Sequence, residues 1–155
     1  MKHVKKSVLL WYTAHEIYEL VTDVASYPQF LPWCESVDIL SRDSDALVAR
    51  LHLAYSGLRH AFTTRNVQVP DTSVHIGLVD GPFSLLEGMW RFVPLAGPGA
   101  TGAVGEANAC KIEFEMRYAF SNGVLEAAIS PVFDRIADTF VDSFVRRAEQ
   151  VHGPR

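Results

Sequence analysis

Six histidines, two cysteines and one glycine-rich run are the parts of this chain whose residue types invite chemistry. His52 and His60 flank the Ser56-Gly57 turn on the outward side, and His15 adjoins Glu16. No Ser, Cys or carboxylate stands at a spacing that would complete a nucleophile, a metal set or an acid–base pair with them. They read as solvated or hydrogen-bonded surface histidines, with no catalytic residue and no metal ligand among them. Cys34 and Cys110 are far apart, lack a C-x-x-C partner and read as buried free thiols. The run GPGATG, Gly97 to Gly102, matches G-x-G-x-x-G, but a dinucleotide fingerprint joins a strand to a helix, and here the strand pattern KIEFEM follows. Gly97 to Ala107 reads instead as a hairpin loop.

Two features point to binding. The stretch SYPQFLPWC, Ser26 to Cys34, sets Tyr27, Phe30, Leu31 and Trp33 among two prolines. Each proline removes a backbone donor and biases the preceding residue toward extended geometry, so this is a rigid apolar loop whose side chains need cover. The second feature is Arg65. If the turn pairs Tyr55 with Arg59, then Thr63 and Arg65 share the inward face with Leu51 and Leu53. A guanidinium there needs a buried carboxylate or a polar ligand head group, whereas at an edge it reaches water.

The elements that must position these residues are legible as periodicities. His3 to Trp11 forms a first strand, and Thr13 to Ala25 carries Ile17, Leu20, Val21 and Val24 at helical spacing behind a Thr13/Glu16 capping box. Strands follow over ESVDIL, LVARLHLAY, Arg59 to Val69, SVHIGLV and LEGMWRFVPL, separated by Pro-Asp and Asp-Gly-Pro turn signals. The clearest strand is ACKIEFEMRYAF. Cys110, Ile112, Phe114, Met116, Tyr118 and Phe120 face one way and Lys111, Glu113, Glu115 and Arg117 the other. From Val124 to Val151 the period turns helical over about 40 Å at 1.5 Å per residue, with a kink or delayed start expected at Pro131. The exposed side of this helix is expected to carry Asp134, Asp138, Asp142, Arg146 and Glu149. The order predicts an α+β fold in which a curved antiparallel sheet wraps the last helix, leaving an apolar cavity where side chains do not fill the space.

Bulk properties bound the rest. At 155 residues the chain is one domain's worth, 1–155, and 48% hydrophobic with 21% charged residues is ordinary for a soluble globular protein. No apolar run approaches the roughly 20 residues that span a bilayer, and VLLWY is too short for a signal peptide core. A cytoplasmic location is therefore the expectation. A net charge of −4 argues against a surface built to neutralise phosphates, despite Lys2, Lys5 and Lys6 near the start.

The motifs SYPQFLPWC, FTTRN (Phe62 to Asn66), LVDGPFSLLEGMWRF (Leu78 to Phe92), CKIEFEMRYAFSN (Cys110 to Asn122) and VFDRIADTFVDSFVRRA (Val132 to Ala148) occur in order. On these the chain resembles the coenzyme Q-binding and ribosome association toxin RatA family, part of the START-like, Bet v 1-like superfamily that includes polyketide cyclases. The resemblance runs from about His3 to Val151, and the chain departs from the short-hairpin form at Gly97 to Ala107.

The resemblance implies a helix-grip fold with an apolar tunnel, and it implies binding without catalysis. The leading ligand it implies is ubiquinone, held in support of electron transport, with no other cofactor. A full-length tail exceeds a typical pocket of about 300–1,000 Å³, so partial enclosure and loading from the membrane surface are expected. The alternatives are binding to the large ribosomal subunit, which blocks subunit joining, and a polyketide cyclase-like reaction that would need polar groups inside the cavity. No role with DNA is expected. Tyr27, Phe30, Trp33, Phe62, Trp90 and Phe92 are the expected ligand-lining residues, with Phe114, Tyr118, Phe133 and Phe140. Arg65 is the expected head-group contact, and Trp33 and Phe30 the expected gate.

Overall fold

The computed structural model describes residues 1–96 and 108–155. In chain order they form β1 (Lys2–Leu10), α1 (Ala14–Thr22), a 3₁₀ segment (Val24–Gln29), β2 (Cys34–Arg42), β3 (Ala46–Tyr55), β4 (Leu58–Val69), β5 (Ser73–Asp80), β6 (Phe83–Leu95), β7 (Ala109–Phe120) and α2 (Gly123–His152). The strands build one seven-stranded antiparallel sheet in the order β1-β7-β6-β5-β4-β3-β2. Every neighbour except the β1–β7 pair is also a neighbour in sequence. The sheet curves around α2, and the core fills the space between them.

Each element follows from its local chemistry. Thr13 caps α1 through its hydroxyl, which accepts from Glu16 N at 3.0 Å, while the Glu16 carboxylate accepts from Thr13 N at 2.9 Å. Asn122 caps α2 by accepting from Leu125 N at 2.9 Å, and Gly153, with φ of 79°, ends it. In β7 the alternation puts Cys110, Ile112, Phe114, Met116 and Tyr118 inward, all buried. Facing them, Ile129, Phe133, Ile136, Phe140 and Phe144 of α2 recur at three and four residues and are buried as well. Each such side chain contributes about 1.5–3 kcal/mol of hydrophobic stabilisation.

Four expectations change. The β3–β4 turn holds only Ser56 and Gly57, with φ of 50° and 81°, so Tyr55 pairs with Leu58 and not with Arg59. That one-residue shift exchanges faces along β4: Phe62, Thr64 and Asn66 are buried, Arg65 is exposed, and His60 pairs with Leu53. Thr63 is buried too, beside a register shift in the β4–β5 pairing.

The segment around Pro28 is a 3₁₀ helix through Gln29, not an irregular loop. Its bonds run round the missing proline donor, with Ser26 N on Asp23 O and both Phe30 N and Leu31 N on Tyr27 O. Helix α2 is continuous from Gly123 through Pro131. Asp134 is half-buried, because its carboxylate accepts the Tyr118 hydroxyl and meets Lys2 Nζ at 3.3 Å. The expected Gly97–Ala107 hairpin loop lies outside the described residues.

Candidate functional site

A small hollow lies between α2 and the concave side of the sheet. Leu51 of β3 and Phe62 of β4 form one wall, and Ile76, Leu86, Gly88 and Met116 continue it across β5, β6 and β7. Helix α2 supplies Phe133, Ile136 and Phe140, and the segment after α1 supplies Val24, Tyr27 and Trp33. The cavity volume is about 50 Å³. That is room for a few water molecules and far below the roughly 300–1,000 Å³ of a typical ligand pocket, so the helix grip is closed and the expected tunnel is not open.

Polar groups reach the hollow at one place. Thr64 and Asn66 face it from alternate positions of β4, and the Thr64 hydroxyl donates to Asn66 Oδ1 at 3.1 Å. With its oxygen so occupied, the Asn66 amide still carries two N–H donors. Neither residue was among the expected contacts, because a wrong register had placed Thr63 and Arg65 inward in their stead. The two-residue Ser-Gly turn was the signal that could have found them.

Of the expected lining residues, Tyr27, Trp33, Phe62, Phe133 and Phe140 border the hollow. Trp90 and Phe114 form the layer behind, 4.7 Å apart between ring centroids, and Phe92 stacks on Trp90 at 6.1 Å. Tyr118 packs on Phe133 at 4.7 Å with its hydroxyl turned to Asp134. Phe30 sits outside the hollow against Tyr27 and Phe144, under the Arg147 guanidinium at 5.1 Å. Arg65 points away from it, so the expected head-group contact is not made by this residue.

The electrostatics of the wall suit binding more than proton transfer. Tyr27 is the only titratable side chain among the described lining residues, since the Thr64 hydroxyl and the Asn66 amide do not ionise. Burial pushes its hydroxyl far above the ordinary phenol range, and that hydroxyl donates to Val21 O. Burial also pushes the thiols of Cys34 and Cys110 up to about 11, which keeps both protonated and unreactive at neutral pH. Among the described residues no group of three or more His, Cys, Asp or Glu is placed to hold a metal ion.

An antiparallel sheet gripping a long C-terminal helix over an apolar hollow defines a helix-grip fold of the START-like kind. The chain belongs to the polyketide cyclase / dehydrase and lipid transport family, which it matches over residues 10–145. It is 38% identical to the ribosome association toxin RatA of Pseudomonas aeruginosa over 151 residues, spanning 97% of this chain and 98% of that one. It is 27% identical to the mitochondrial coenzyme Q-binding protein COQ10 of Drosophila melanogaster over 150 residues, covering 96% of this chain and 59% of that protein. Among solved structures, the Zhui aromatase/cyclase from Streptomyces superposes with a TM-score of 0.77 at 18% identity, over 96% of this chain and 94% of the other, a likeness of fold alone.

Proposed function

We propose that this protein is a non-catalytic carrier of a hydrophobic small molecule, with a polyisoprenoid quinone such as ubiquinone as its ligand, in support of respiratory electron transport. The make-up of the cavity wall carries the reading: apolar side chains on every side and one polar spot, Thr64 with Asn66. Apolar surface contributes roughly 25 cal/mol per Å² on burial, and the Asn66 amide supplies donors for a ring carbonyl. The name of the Drosophila relative supports the choice of quinone. Because the hollow is small, loading requires α2 and Trp33 to part, and a long isoprenoid tail is only partly enclosed. Exchange takes place at the membrane surface in this reading; no helix of the described residues is long and apolar enough to cross a membrane.

Lipid extracted from the purified protein and identified by mass spectrometry tests this directly. Quinone in the extract, together with a shift in tryptophan fluorescence and melting temperature on adding quinone, is the expected result. A quinone-free extract and no response to added quinone would overturn the proposal.

A second reading, association with the large ribosomal subunit, is favoured by the RatA-named relative at 38% identity over nearly the whole chain. Against it, the outer face of β1, β7 and β6 sets Lys5, Arg91 and Lys111 among Glu113 and Glu115, a mixed surface and not a basic one. Ribosome profiles after overexpression decide this reading, since an unchanged ratio of joined to separate subunits removes it. A cyclase-type reaction would need an acid or base at the wall, where Tyr27 is already committed to Val21 O.

A further inference from the structure

On the outer side of Trp33 lies a second hollow, a groove of about 140 Å³ between α2 and the tip of the β3–β4 hairpin. The tip overhangs because β5 pairs with β4 only from Thr63 onward, while Leu58 to Phe62 pair with β3 alone. Trp33 and Ile136 belong to the walls of both hollows. They are only 7% and 6% exposed, and they form the partition between the groove and the inner cavity.

Helix α2 presents Arg135, Thr139, Ser143 and Arg146 to the groove, at steps of four, four and three residues along one face. The two arginine Cα atoms are about 16 Å apart by helical rise, so the side chains bracket the groove from its two ends. Among the described residues neither guanidinium has an ion-pair partner, whereas Arg59, near the same hairpin tip, is taken up by Glu35 at 2.9 Å. Arg146 Nη2 reaches back over the groove toward the Ser143 hydroxyl at 3.5 Å. The hydroxyl hydrogens of Thr139 and Ser143 are committed to the carbonyls of Arg135 and Thr139, so the free donors are the guanidinium N–H groups. Asp138 and Asp142 of the same helix do not line the groove; Val132 of α2 adds an apolar patch at its Arg135 end, and the facing wall is Pro32 and Tyr55.

We infer that this groove is the mouth of the cavity and a subsite for an anionic head group, carboxylate or phosphate, of an amphiphile whose tail passes between Trp33 and Ile136. Guanidinium forks match the geometry of such oxyanions, and the apolar floor beyond them takes the chain. A neutral alcohol head occupies the groove without the ion pair, whereas a quinone ring passes the same mouth to reach Asn66 inside. The inference rests on the reading of the inner cavity as a site for hydrophobic ligands, and adds to it a preference among head groups.

Oleate and oleyl alcohol share one chain and differ in the head, so the full-length protein titrated with each, below its aggregation concentration and followed by tryptophan fluorescence and calorimetry, isolates the head. Oleate is expected to bind at least ten-fold more tightly, and the Arg135→Gln/Arg146→Gln double variant to lose that preference while keeping its melting temperature. Acetate and inorganic phosphate, which carry the charge without the tail, are expected to give no response. Equal binding of the two probes, a preference that survives in the double variant, or acetate or phosphate binding as tightly as oleate overturns the mouth subsite and leaves the cavity reading standing. Binding of neither oleate nor oleyl alcohol overturns both.

Discussion

Trp33 and Phe62 stack with ring centroids 6.3 Å apart and planes 24° from parallel, and Trp33 also meets Phe140 of α2 at 6.4 Å. One indole thus ties β4 to the long helix across the mouth of the hollow. Phe62 leads into an aromatic group with Phe83 and Phe133, and Phe140 into another with Trp90, Phe114 and Phe144. The rings that close the cavity are therefore also the rings that join the two parts of the core.

Trp33→Ala is expected to destabilise the fold by about 3–5 kcal/mol, with Trp33→Phe costing less because most of the ring contact survives. Urea unfolding measures both. In Trp33→Phe, which should remain folded, a bound fluorescent fatty probe is expected to leave faster than from the parent. An unchanged dissociation rate removes Trp33 from the gate.

Gly88 borders the cavity in the middle of β6. A Cβ there would meet Ile76 Cδ1 at 3.4 Å, Ile76 Cβ at 3.6 Å and Glu115 O at 3.7 Å, all ordinary contact distances. Gly88→Ala should therefore fit, stabilise the strand by about 0.5–1 kcal/mol and reduce the space left for a ligand. Higher melting temperature with weaker uptake of oleyl alcohol is the expected pair of results, and uptake equal to the parent's would show that ligand lies elsewhere.

Thr64→Val leaves Asn66 Oδ1 without its buried donor, at a cost of about 1–3 kcal/mol. The double change Thr64→Val/Asn66→Leu removes both polar groups and is expected to restore much of that loss. If Thr64 and Asn66 serve the ligand, the double variant folds yet binds quinone more weakly than the parent. Undiminished quinone affinity in a folded double variant assigns the pair to structure alone.

The parts of this architecture that could be read from sequence are those where one periodicity has one explanation. Apolar and charged residues alternate in β7 without interruption, and the inward set from Cys110 to Tyr118 is buried as the pattern requires. The Thr13/Glu16 box is equally local, and both of its hydrogen bonds form. The inward face of β4 was harder because it carries polar residues, so hydrophobicity could not set its phase. The Ser56-Gly57 turn, with φ positive at both positions, set it instead. Cavity size was not legible at all. It depends on how far the sheet curls and how Trp33, Phe62 and Phe140 fill the gap, and alternation constrains neither.

His15 Nδ1 lies 2.7 Å from Asp71 Oδ1 and joins α1 to the β4–β5 turn. The hydrogen bond to Asp71, reinforced by its charge, raises the His15 pKa above the ordinary value of about 6.5. A raised folded value means that the contact stabilises fully below about pH 6.5 and is lost as pH rises through the folded pKa. Histidine titration by NMR should find His15 above 6.5 in the parent and lower in Asp71→Asn. Asparagine suits this position because residue 71 has φ of 57°. Identical titration curves in the two proteins would refute the coupling.

The order of the sheet also dictates when the molecule can be finished. Strands β2 to β7 can zip up as successive hairpins while the chain emerges, but β1, made first, pairs in register only with β7, from Lys2 opposite Tyr118 to Leu10 opposite Cys110. Until β7 exists, the edge of β1 has no partner in the sheet, and its lysines at positions 2, 5 and 6 keep that waiting edge soluble and discourage pairing with other chains. Closing so long a loop is slow relative to hairpin formation, so capture of β1 by β7 is expected to come late in the assembly of this fold.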